Sequence, residues 1–197
     1  QGVFNKILVH ISVNTVAAYQ VAGRLDMLVF LPIFSIAASL TTLVGMFYGA
    51  KEYRALRYII KYGIFSALLI TIISSTIVYT FAGHVVRFFT DDASIVIIAV
   101  NFLQIFAFAY PFISVGITTG RVLQGLGKGL PVLIITIVRV LGVSAPLALF
   151  FVFIMDKTVE WVWYSMMLST IVAFGIGLTW LISTLKTLPT SGQSLNN

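Results

Sequence analysis

A chain of 197 residues that is 59% hydrophobic and only 9% charged, with a mean hydropathy of +1.06, is an integral membrane protein, since soluble domains carry about a quarter charged residues. The formal charge of +6 does not indicate nucleic acid, because the basic residues sit in short loops between apolar spans. With no cysteine, disulfides and cysteine-held metals are excluded.

The sequence opens with Gln1 and runs straight into apolar residues from Val3 to Ile11. It lacks the basic, apolar, small-residue order of a signal peptide and reads as a fragment beginning near the end of a span. His10, Ser12, Asn14 and Thr15 then suggest a short turn. The stretch from Thr15 to Arg57 is the most organised of the chain. Small residues (Ala17, Ala18, Ala22, Gly23) surround Arg24 and Asp26, and an uncharged span over 27–48 follows with Pro32 near its middle. Gly49 and Ala50 end it, and Lys51, Arg54 and Arg57 make a basic loop. About twenty apolar residues at about 1.5 Å each cross a bilayer core of roughly 30 Å.

A third span over 62–81 is rich in Ile, Ser and Thr. In the loop behind it Thr90 or Asp91 is the expected N-cap, and Phe88 and Phe89 are expected at the interface. The fourth span, 95–119, carries Asn101, Gln104, Tyr110 and Pro111, more polarity than a lipid-facing helix needs. Gly120 to Gly129 is predicted as a tight Gly-rich loop, with Pro131 in the first turn of a fifth span over 131–154. That span contains Arg139 and Pro146. Asp156, Lys157 and Glu160 mark its far side. Trp161, Trp163 and Tyr164 form an aromatic belt before a sixth span over 163–185. Residues 187–197 are a polar tail, expected to be disordered.

Charge sorts the loops by side. Lys51, Arg54, Arg57, Lys61, Arg121, Lys128 and Lys186 fall on one side with Glu52 alone opposing them. Arg87 and Lys157 fall on the other with Asp91, Asp92, Asp156 and Glu160. The positive-inside rule makes the first side cytoplasmic, the C-terminus included, and the setting a multi-pass position in the plasma (inner) membrane.

Several residues are candidates for function. Arg139 lies about 12 Å into its span at helical rise; an intramembrane charge marks a functional site, or snorkels, or binds freed backbone carbonyls. Arg24 and Asp26 are two apart, face different sides of a helix and do not pair with each other. Asp26 either meets a cationic substrate or proton, forms a charge pair with another helix, or simply sits near the outer interface. Asn101, Gln104 and Phe108 repeat at helical spacing with Pro111 one turn on, which suits an internal cavity or ordinary helix packing. Gln20, Phe30 and Tyr110 complete the substrate-cleft candidates; Pro32, Pro111 and Pro146 are candidate hinges. The run Gly125 to Pro131 lacks the Walker spacing and a Lys-Ser/Thr pair, so it is no phosphate loop. His10 and His84 stand alone, without metal-ligand spacing. No nucleophile–base pair appears. The expectation is no enzyme, no catalytic residue, no metal site and no cofactor.

Three stretches together resemble the C-terminal lobe of the multidrug and toxic compound extrusion (MATE) transporters. They are VAAYQVAGRLDMLVFLPIFSIAASLTTLVGMFYGAKEYRALR, GRVLQGLGKGLPVLI and IVRVLGVSAPLALFF, in that order. The resemblance implies an all-α polytopic bundle: five complete transmembrane helices plus the end of a sixth, filling 1–186 as one lobe of a two-lobe transporter. It implies a bilayer and an N-terminal lobe as partners, and small organic cations as substrates. The activity implied is export in exchange for Na⁺ or H⁺ through a cleft between lobes. Some members hold the coupling ion with acids in spans seven and ten. The stretch matching span ten, Ile95 to Thr119, has no acid, so the coupling ion stays open and no cation site is assigned. A lipid-linked saccharide flippase of the same superfamily and a non-transporting membrane subunit are the alternatives.

Overall fold

The computed structural model describes residues 12–154 and 159–189. The expected end of a span before His10, the loop residues Asp156 and Lys157, and most of the polar tail lie outside the described residues. The elements are α1 (Val13–Gly49), α2 (Tyr53–Arg87), α3 (Ala93–Gly125), α4 (Leu130–Ile137) and a π-helical segment π1 (Val138–Ser144). A short α5 (Ala145–Leu149), a second π-helical segment π2 (Phe150–Ile154) and α6 (Val159–Lys186) complete the order. Five of the resulting rods are long and apolar enough to cross a membrane.

The helices outrun the predicted spans at both ends, α1 reaching 37 residues and α2 35. At about 1.5 Å per residue such rods exceed a roughly 30 Å hydrocarbon core by several turns. Hydropathy marks only the part in hydrocarbon. The predicted turn at Asn14 and Thr15 is therefore helix: the Ser12 hydroxyl caps it, accepting the Thr15 N–H at 3.1 Å. Likewise the Gly-rich loop shrinks to Leu126–Gly129, because Gly120 to Gly125 stay in the last turns of α3.

Asp92, rather than Thr90 or Asp91, caps α3. Its Oδ1 accepts the Ser94 N–H at 2.8 Å, the Ser94 hydroxyl at 2.6 Å and the Ile95 N–H at 3.4 Å. The Ser94 hydroxyl first, then the two backbone donors, hold this carboxyl below its ordinary value of 3.8. A depressed folded value means the ionised cap stabilises the fold fully above pH 3.8 and stops doing so as pH falls through the folded value. Asp92→Ala should therefore lower the melting temperature at neutral pH and flatten the acid limb of a melting-versus-pH curve in detergent. An unchanged acid limb would remove Asp92 from that role.

α3 is the central rod. It packs along α1, α2 and α6, and its buried residues run from Val96 to Leu123 on several sides. One packed cluster joins Tyr19, Phe102, Phe106 and Trp163, with the Phe102 and Trp163 rings edge to face at 4.8 Å. A second, near the basic loops, holds Leu40, Val44, Leu56, Ile60, Val122 and Leu123. Small residues (Ala18, Ala22, Ala37, Ala67, Ala99, Ala109) occupy fully buried positions and let backbones approach. Phe65, Leu69, Ile72, Ile73 and Ile77 of α2 remain exposed, an apolar surface suited to lipid rather than water. The hydroxyls of this span bond back along it, as Thr71 does to the Ala67 carbonyl at 2.7 Å.

The aromatic belt needs correction. Trp161 and Tyr164 are exposed, but Trp163 is fully buried in the bundle, because neighbours on a helix point to different sides. Near the start of α2 an Arg57 guanidinium nitrogen donates to the Leu188 carbonyl at 3.0 Å, joining this end of α2 to the segment after α6. The fifth span is not a continuous α-helix. Pro146 has no N–H to donate, so the backbone ahead of it widens into π1, which carries Arg139.

Candidate functional site

The candidate residues fall into three places. The first lies between α1 and α3. Asp26 projects from α1 and its Oδ1 accepts the Tyr110 hydroxyl. Tyr110 is fully buried, and Phe30, one turn beyond Asp26, meets its ring edge to face at 5.3 Å. Helical spacing explains the trio, since positions 26 and 30 share one face of α1. Asp26 thus bonds to another helix through a neutral tyrosine rather than a charge, and among the described residues its second carboxylate oxygen has no hydrogen-bond partner. Pro111 follows Tyr110 directly, and Pro32 sits one turn past Leu28; each removes a backbone donor from its helix near this place. Gln20 and Arg24 are exposed on α1, off this trio.

The second place lies between α2, α3 and α6. Asn101 donates to Glu160 Oε1 at 2.7 Å. Gln104 and Phe108 line a cavity of about 290 Å³ with Tyr79, Tyr164 and Met167. The Tyr79 and Phe108 rings meet at 5.7 Å, and Phe108 is 65% exposed. Asn101, Gln104 and Phe108 do share a face, but that face looks away from Tyr110. On α3 positions 108 and 110 are about 200° apart.

The third place is a cavity of about 350 Å³ walled by Phe34, α3, the α4–π1 segment and α6. Arg139 lines it together with Arg121, Gln124, Thr119 and Thr136. Arg121 donates to Gln124 Oε1 at 3.2 Å. Among the described residues no group of three or more His, Asp or Glu side chains gathers. Sequence reasoning missed Thr119, Arg121 and Gln124. The signal available for them was their nearness in sequence to the polar edge of the fourth span, which the loop assignment hid.

Comparison with known proteins places this bundle. The family model for MatE matches residues 1–150. The probable multidrug resistance protein NorM of Thermotoga maritima is 28% identical over 145 residues, 74% of this chain and 31% of that protein. A MOP superfamily transporter from Pyrococcus furiosus superposes with a TM-score of 0.87 at 26% identity, over 96% of this chain and 43% of that one. An outward-facing multidrug resistance MATE family transporter of the MOP superfamily gives 0.86 at 27% identity, over 96% and 43%. The chain spans less than half the length of each.

Proposed function

The chain belongs to the MatE family, a family of transporters rather than enzymes, and from that membership we propose that residues 1–186 form the C-terminal lobe of a secondary antiporter. The bundle is a multi-pass helical membrane protein with the fold of solved MATE transporters. On the proposed reading the longer transporter exports organic, often cationic compounds in exchange for Na⁺ or H⁺. An N-terminal lobe from the rest of that protein supplies the other half of the cleft. The plasma membrane is the proposed location, with the basic loops and the C-terminus on the cytoplasmic side and residues 187–197 a tail there.

One observation carries the reading beyond the family: a carboxylate inside the bundle, Asp26, tied to a buried tyrosine and flanked by Phe30. A part-buried acid on a membrane span suits an organic cation, which gains a counter-charge there. Transport then requires that the cation and the coupling ion favour different arrangements of the two lobes. A single lobe has half a cleft, so the isolated chain should not transport. The relatives it matches are probable multidrug resistance proteins, which favours this reading over a saccharide flippase.

The test follows a fluorescent organic cation in cells lacking their own exporters and expressing the longer transporter, with the Na⁺ and H⁺ gradients collapsed separately. Efflux that stops with one gradient supports antiport and identifies the coupling ion. Efflux indifferent to both would reject the mechanism, as would saturable gradient-driven efflux by reconstituted residues 1–197 for the two-lobe requirement.

A further inference from the structure

The cavity beside Arg139 has a charge pattern that export of cations does not use. Arg139 and Arg121 both line it, and none of the lining side chains is acidic. Arg139 stands nine residues beyond Leu130, about 13 Å along the span at helical rise, within the hydrocarbon depth where an unmet guanidinium is costly. It sits on a π-helical segment, a distortion that turns up at functional sites in membrane and soluble helices alike.

Thr119 gives an independent sign. The residue is 2% exposed and lines the same cavity, and its buried Oγ1 has no hydrogen-bond partner among the described residues. Its neighbour Thr118 takes the usual escape by bonding back to the Ser114 carbonyl at 2.9 Å. Leaving a buried hydroxyl unmatched costs about 1–3 kcal/mol, a cost that a ligand oxygen would offset once the Thr119 side chain rotates its hydroxyl into the cavity. The far wall is apolar, with Phe112 and Phe174 edge to face at 5.3 Å.

We propose that this cavity binds an anionic amphiphile, its phosphate or carboxylate head held by Arg139, Arg121 and Thr119 and its apolar body lying along Phe112 and Phe174. Arg139 supplies a forked pair of N–H donors, the geometry that suits such oxyanions. Thr119 donates its hydroxyl to the head. Arg121, exposed toward the basic end and already joined to Gln124, stands at the mouth. The head could come from an anionic membrane lipid or from a free amphiphile; both present the same chemistry. The inference goes beyond the antiport reading and does not depend on it.

The test titrates dodecyl phosphate into the purified protein in nonionic micelles by calorimetry, with dodecyltrimethylammonium as the chain-matched control of opposite charge. Saturable binding of the phosphate alone is expected. Arg139→Gln should weaken it roughly ten-fold or more and Thr119→Val roughly three-fold, as expected for charged and neutral hydrogen bonds. A parallel arm compares melting in nanodiscs of phosphatidylglycerol and of phosphatidylcholine. A rise with phosphatidylglycerol that Arg139→Gln abolishes supports the site with lipid as the source. A rise only with free dodecyl phosphate supports it with a soluble amphiphile. Equal affinity for both heads, or full binding by a folded Arg139→Gln variant, overturns the proposal. Should that variant fail to fold, unchanged affinity in Thr119→Val and Arg121→Gln overturns it instead. Binding is read without any ion gradient, so its failure leaves the antiport reading standing, and the reverse.

Discussion

Asp26→Asn in the longer transporter should cut efflux of an organic cation by about ten- to a hundred-fold while leaving membrane insertion intact. This substitution changes charge while keeping shape. Asparagine has almost the volume of aspartate, and its carbonyl can still accept the Tyr110 hydroxyl, so the α1–α3 contact survives. What disappears is a partly buried negative charge inside the bundle, with one oxygen uncommitted among the described residues. A hydrogen bond or contact to a charged partner is worth about 1.5–3 kcal/mol, and each 1.4 kcal/mol is a factor of ten. Tyr110→Phe is the complementary change. It keeps the carboxylate and the ring packing against Phe30 but removes the donor, and a smaller loss is expected because the charge itself remains. Efflux by Asp26→Asn at the wild-type rate, with equal protein in the membrane, would reduce Asp26 to a structural pair. Equal losses in the two variants would mean that the pair acts as a unit, with the hydroxyl as necessary as the charge.

How far the sequence led can be judged residue by residue. The membrane bundle was legible because hydropathy reports directly on the bilayer. Asp26 was legible as an acid that meets a cationic substrate or proton, pairs with a charge on another helix, or sits near the outer interface. The partner was not, because Tyr110 lies 84 positions away and nothing local links them. Asn101, Gln104 and Phe108 show the limit of periodicity. Their spacing correctly puts them on one face of α3, but period alone does not say whether that face meets the bundle or its exterior. Trp163 failed for the opposite reason. Composition near a span end suggested an interfacial belt, whereas the helix had already begun at Val159 and turned this ring inward against Tyr19 and Phe102. The π-helical break at Arg139 left only Pro146 as a trace in the sequence.

Gly125→Ala is expected to be among the most destabilising single-carbon additions to this bundle. A Cβ at Gly125 would stand 2.7 Å from the Thr41 carbonyl oxygen and 2.9 Å from Val44 Cγ1. The first of these is backbone, which cannot swing aside as a side chain can. The helices must therefore part where α1 and α3 come closest, and where Gly45 in turn faces the Gly125 carbonyl. Parting them also stretches the bond from the Thr41 hydroxyl to the Arg121 carbonyl, now 3.3 Å, and opens the packing of the buried Leu40, Val44, Val122 and Leu123. Overpacking alone costs about 1–3 kcal/mol; with loosened neighbours the total should approach about 3–4 kcal/mol. Two glycines calibrate the result. Gly63→Ala would press a Cβ to 2.5 Å from Leu40 Cδ2, a side chain that can rotate, so a smaller drop is expected. Gly23→Ala has nothing within 4 Å and should be neutral or slightly stabilising through helix propensity. The measurement is the melting temperature of the three purified variants in one detergent. The order expected is Gly125→Ala lowest, Gly63→Ala intermediate and Gly23→Ala at or above wild type. A Gly125→Ala protein melting with Gly23→Ala would show that α1 and α3 do not cross this closely, and the walls of the Arg139 cavity that α3 carries would then need redrawing.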